Sequence, residues 1–131
     1  MNSDIVAVIV STVMAFVLSS TYYTVFAEAL TRHSTAVAAT GSQRPPLWKM
    51  LVELVRSLVL SFVLLAAADR MRLDGPGDAV MLGLGAWVGF PLVLWTGAML
   101  WENVPWQLAA LHGGDWLVKL LVVSGIVVLV G

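Results

Sequence analysis

Four long apolar runs, at about residues 5–26, 47–69, 79–101 and 105–130, constrain this chain more than anything else in it. Each is near or above the ~20 residues that an α-helix needs to cross a ~30 Å hydrocarbon core. Backbone N–H and C=O groups find no water inside lipid, so a spanning segment must satisfy them itself, and runs this long do so as helices. The expected fold is all-α: a polytopic membrane protein with one transmembrane domain over residues 1–131, built as a four-helix up-down bundle. Composition agrees, since 60% of the residues are hydrophobic and 11% charged. A soluble domain carries about 25% charged residues, and one this small could not hide so much apolar surface from water.

The charge balance, 7 Lys+Arg against 8 Asp+Glu, lacks the basic surplus that a nucleic-acid partner or a polybasic membrane anchor requires. With no cysteine in the chain, disulfides, thiolate metal sites and a Cys nucleophile are excluded. The first run is too long for a secretory signal and has Asp4 in place of a basic leading segment, while the small-residue step at Ala36-Val37-Ala38 lies well past it. It is expected to be a retained helix.

The connections divide the runs cleanly. Residues 31–46 are polar and end in Pro45-Pro46, residues 69–78 form a charged turn with Asp78 suited to cap the third helix, and residues 102–105 form a very short third link. Short links make neighbouring helices antiparallel. Tyr22, Tyr23, Trp48, Trp101 and Trp106 then fall at helix ends on one side and are expected as half of an aromatic belt. Arg32, Arg44 and Lys49 on that side against Arg70 and Arg72 on the other leave the orientation open.

Small residues mark the expected contact faces. Ala7, Ser11, Ala15 and Ser19 recur at intervals of four in the first helix, Ser57 and Ser61 repeat that spacing in the second, and Gly83, Gly85 and Gly89 lie in the third. Such stripes let backbones approach closely, and packing rather than hydrophobicity holds helices together in lipid. They fit contacts inside the chain or a seam with another subunit. Pro91, in the middle of the third run, removes a backbone hydrogen bond and is expected to kink it.

Charges inside the runs carry the functional question. Lys49, Glu53 and Arg56 share one face of the second helix, and His112, Asp115 and Lys119 share one face of the fourth. An ionisable group in hydrocarbon costs at least ~2.5–3.5 kcal/mol, so both faces are expected to meet as a neutral cluster of Glu53, Arg56, Asp115 and Lys119, with His112 and Glu102 at its mouth. This arrangement fits a set of ion pairs that only bind helices together, or a polar cavity for an ion, proton or small polar group. No motif designates a nucleophile, so an enzyme is not expected. His33 and His112 belong to no ligand pattern, so neither a metal nor another cofactor is expected.

In order and spacing the chain resembles a bacterial family of small four-helix membrane proteins, the domain of unknown function 1761 family. The resemblance rests on Thr21-Tyr22-Tyr23-Thr24 closing the first helix, the glycine-rich stretch from Gly83 to Pro91, the acidic-to-proline link from Trp101 to Trp106, and His112-Gly113-Gly114-Asp115-Trp116 opening the last helix. Lys119 departs from it, standing where an apolar residue is expected. The resemblance implies a four-helix fold and a place in a membrane, the bacterial cytoplasmic membrane, and no activity.

The leading expectation for function is a small oligomeric membrane protein whose charged cluster binds or conducts an ion or small polar solute. The alternative is a structural or accessory membrane subunit whose charges only hold helices together. A small multidrug-type antiporter is a third, weakened because Asp4 lies outside the first span. The expected partners are the lipid bilayer and a second copy or another membrane protein.

Overall fold

A computed structural model of the chain describes residues 2–34 and 46–131. Among these residues six helices follow one another: α1 (Asn2–Val25), α2 (Ala27–His33), α3 (Leu47–Arg70), α4 (Pro76–Gly89), α5 (Pro91–Trp101) and α6 (Trp106–Leu129). Together α4 and α5 make one span, so four segments are long and apolar enough to cross a membrane: Ser3–Val25, Leu47–Arg70, Pro76–Trp101 and Trp106–Leu129. The protein is an all-α polytopic bundle with antiparallel sequential spans, and no strand occurs among the described residues.

The packing is centred on α6. Helices α1, α3 and α6 pack mutually, and the α4–α5 arm packs against the opposite flank of α6. In the most apolar 18 residues of each span, 44% are buried in the last and 17–22% in the other three. Small residues line the helix contacts: Ala7, Ser11 and Ala15 of α1, Ser57, Ser61 and Ala68 of α3, Ala79 and Gly83 of α4, and Gly113 and Ser124 of α6 are all buried, together with Leu64, Leu65, Leu120, Val123, Val127 and Val128. Large apolar side chains such as Ile9, Val13, Phe62, Val63 and Val93 point outward. Small residues at the contacts and an apolar outer surface fit packing in which lipid is as apolar as the interior.

The local chemistry sets the helix boundaries. At the start of α4, Gly75 is extended and Pro76 takes the first helical turn, where its missing N–H is no loss. Asp78 therefore does not cap this helix as expected: it lies inside the first turn and its Oδ2 accepts the Asp74 N–H at 3.2 Å. Arg72, with φ at 56°, closes α3 in a left-handed turn, and Leu73 N–H donates back to the Ala68 carbonyl at 3.0 Å. The third span breaks at Phe90, the residue before Pro91, whose φ and ψ of −121° and −75° leave the helical region. The short α2 lies between the first apolar run and the polar link and runs three residues into that link, its Glu28 and Arg32 paired one turn apart at 3.0 Å. Arg44, Pro45 and the Ala36-Val37-Ala38 step lie outside the described residues.

Gly83 brings α4 against α6. A Cβ added there would lie 2.9 Å from Leu121 Cδ2, 3.1 Å from Leu121 Cα and 3.2 Å from the Leu120 carbonyl oxygen. Gly85 and Gly89 do not share this face. Both are exposed, and an added Cβ would meet nothing within 4 Å. Residues two apart on an α-helix are separated by about 200° around its axis, so the glycine pair spaced by four faces away from the neighbour that Gly83 touches.

Candidate functional site

A polar and aromatic network surrounds the first three turns of α6. Asp115, on the face of α6 turned toward α1, accepts a hydrogen bond from Ser19 Oγ at 2.8 Å, and Lys119 Nζ stands 3.4 Å from its other oxygen. The acid precedes the base by one turn, the favourable order for a helical pair. Both side chains are buried, at 5% and 8% exposure, and the ammonium also lies 4.2 Å above the Trp116 ring, a cation–π contact that strengthens away from water. Ser19 belongs to the small-residue stripe of α1, yet its hydroxyl serves here as a donor to a charge.

One turn earlier, two α1 tyrosines reach α6. Tyr22 Oη donates to the Leu111 carbonyl at 2.6 Å, and Tyr23 Oη shares a 2.5 Å hydrogen bond with His112 Nδ1. The two rings meet edge to face, 5.3 Å apart at 81°. His112 is stacked on Trp95 of α5 at 4.8 Å and 12°, and Trp87 Nε1 of α4 donates to the Gly113 carbonyl at 2.8 Å. Gly114 makes room for this: an added Cβ would lie 2.5 Å from the Tyr22 hydroxyl. Two of the three flanking spans thus hand α6 directed contacts, α1 through Ser19, Tyr22 and Tyr23, and the α4–α5 arm through the Trp87 hydrogen bond and the Trp95 stack; among the described residues α3 packs on α6 without one.

Several expected placements are corrected. Tyr22 and Tyr23, expected in an aromatic belt, are half-buried and hydrogen-bonded to α6, whereas Trp48, Trp101 and Trp106 are exposed at 62%, 82% and 68%. Glu53 and Arg56 pair with each other on α3, at 45% and 56% exposure, and not with α6. The spacing that puts two charges on one face also lets each pair close on its own helix. A crevice of ≈ 10 Å³ between α3 and α6 is lined by Glu53, Arg56, Ser57 and Leu60 on one side and by Trp116 and Lys119 on the other. Lys49 is exposed and lies 5.6 Å from its neighbour Trp48, and Glu102 is exposed as well. Neither joins the network. His112 does, but as a partner of Tyr23 and Trp95.

Trp87, Trp95 and Trp116 join the site as well, the first two standing apart from its charged residues in the sequence. A tryptophan deep inside a span is itself a signal, because an indole N–H in hydrocarbon needs an acceptor. Among the described residues no group of three or more His, Asp or Glu side chains is placed to hold a metal ion, and the site's chemistry is that of a paired charge held by hydroxyl, indole and backbone groups.

No curated protein and no solved structure matches the chain. The family model described as "Protein of unknown function (DUF1761)" matches residues 6–128. Matched over nearly its whole length, the chain belongs to the DUF1761 family.

Proposed function

We propose that this protein is a structural or accessory subunit of a membrane, in which the Asp115–Lys119 pair and the aromatic network around it fix α6 as the post to which the other spans are attached. The observation that carries this reading is closure. Asp115 is occupied on both oxygens, by Ser19 and by Lys119, the ammonium is covered by Trp116, and the adjoining crevice of ≈ 10 Å³ is about the space of one water. A path for an ion or small solute would need a wetted cleft against the charges. The outward-facing Gly85 and Gly89 supply the small-residue surface such a subunit would offer to another membrane helix.

The test is flux. Purified protein in sealed liposomes is expected to give no leak or coupled movement of protons, monovalent cations or organic cations above empty vesicles, and an Asp115→Asn/Lys119→Met variant is expected to behave the same while remaining folded. Flux in the wild type that the folded double variant loses would replace this reading with an ion- or proton-handling one.

A further inference from the structure

At the end of the bundle away from the aromatic network, α1 and α3 border a groove of ≈ 400 Å³. Ile5, Val8 and Ile9 form one wall, and Phe62, Leu65 and Ala66 the other. Its outer side chains, Ile5, Ile9 and Phe62, are 52–62% exposed, so the groove opens sideways to the surrounding lipid. From the level of Asp69 to that of Phe62 it runs two turns of helix, about 10 Å into the bilayer at 1.5 Å per residue. It is too short to seat a second spanning helix and long enough to hold the upper part of an acyl chain.

Only its mouth is polar. Asp4, in the first turn of α1, and Asp69, in the last turn of α3, stand on either side of it. Among the described residues neither carboxylate has an ion pair or a side-chain hydrogen bond. Asp69 also lies in the last turn of α3, at the negative end of the helix dipole, which favours a cation. Arg70 and Arg72, one and three residues after Asp69, are exposed.

From this complementarity we infer that the groove is a seat for a phospholipid whose headgroup ends in a primary ammonium, of the phosphatidylethanolamine type. The acyl chain lies between α1 and α3, the ammonium donates charge-assisted hydrogen bonds to Asp4 and Asp69, and the phosphate lies on the side of Arg70 and Arg72. A choline headgroup carries its charge but has no N–H to donate. An anionic glycerol headgroup brings a net negative charge to two carboxylates and is disfavoured.

Native mass spectrometry of the delipidated full chain, with ethanolamine, choline and glycerol phospholipids of identical acyl chains added in turn, decides this. The ethanolamine lipid is expected to bind at least about tenfold more tightly than either of the others, as one lost charge-assisted hydrogen bond is enough to produce. Asp4→Asn/Asp69→Asn is expected to bind all three alike. Ile9→Trp, which fills the groove and keeps both carboxylates, is expected to lose the tight ethanolamine site. Equal binding of the three lipids by the wild type overturns the inference without needing any variant, and so does an ethanolamine preference that survives in the double Asn variant.

Discussion

Gly114 shows how closely single residues are fitted in this bundle. Its missing Cβ leaves the place taken by the Tyr22 hydroxyl, and the ring carbon bearing that hydroxyl lies 3.5 Å from where the Cβ would be. Gly114→Ala is therefore expected to push Tyr22 off the Leu111 carbonyl and to cost ~1–3 kcal/mol, the range for a buried polar group left unpaired. Tyr22→Phe alone is expected to cost ~0.5–1.5 kcal/mol for the lost hydrogen bond. Combined, the two changes should cost less than their sum, since a phenyl ring leaves the new methyl an ordinary contact. Unfolding of the four proteins in one detergent measures this. The site was legible in the sequence where charge was concerned, because Asp115 and Lys119 inside an apolar run demand partners. It was not legible at Tyr22 and Trp87, whose acceptors are the backbone carbonyls of Leu111 and Gly113. A carbonyl has no residue signature, and a tyrosine at a helix end reads equally well as an interfacial anchor.

Among the elements, the α4–α5 arm is held to α6 by the close approach at Gly83. Gly83→Leu is expected to destabilise the fold by ~1–3 kcal/mol or more, the usual range for overpacking, because two of the three nearest atoms are backbone and cannot swing aside. Gly85→Leu and Gly89→Leu face open space and are expected to change stability by less than ~0.5 kcal/mol, as for changes away from any packed feature. Thermal unfolding in mild detergent separates the two classes, and an equal loss at Gly83 and Gly85 would contradict the packing described. The four spans could be read from apolar runs because lipid imposes a length that few other constraints imitate. The break at Phe90 was readable from Pro91 by the same directness. The short α2 was not, since residues 27–33 carry polar side chains without a spanning run, and its helix is attached by packing against α1 and α6. Nor was the pairing of charges across helices resolved by spacing, for Glu53 with Arg56 and Asp115 with Lys119 satisfy the same spacing within one helix.

At the scale of the whole molecule, α6 holds three spans that otherwise expose most of their surface to lipid, and the buried Asp115–Lys119 pair sits where α1 meets it. A buried pair is costly to break even where its net contribution is small, because the partner left behind is an uncompensated charge. Glu53 and Arg56, more than 40% exposed each, can extend toward the interface when separated, so Arg56→Ala is expected to cost about 1 kcal/mol or less. The most direct test of the account is a double-mutant cycle on Asp115 and Lys119, followed by unfolding in detergent. Asp115→Asn and Lys119→Met are each expected to cost ~3–5 kcal/mol, and the combined variant is expected to recover most of that loss, since it leaves no lone charge inside. Additive losses, or single variants as stable as the wild type, would contradict the claim that this pair fixes the central helix.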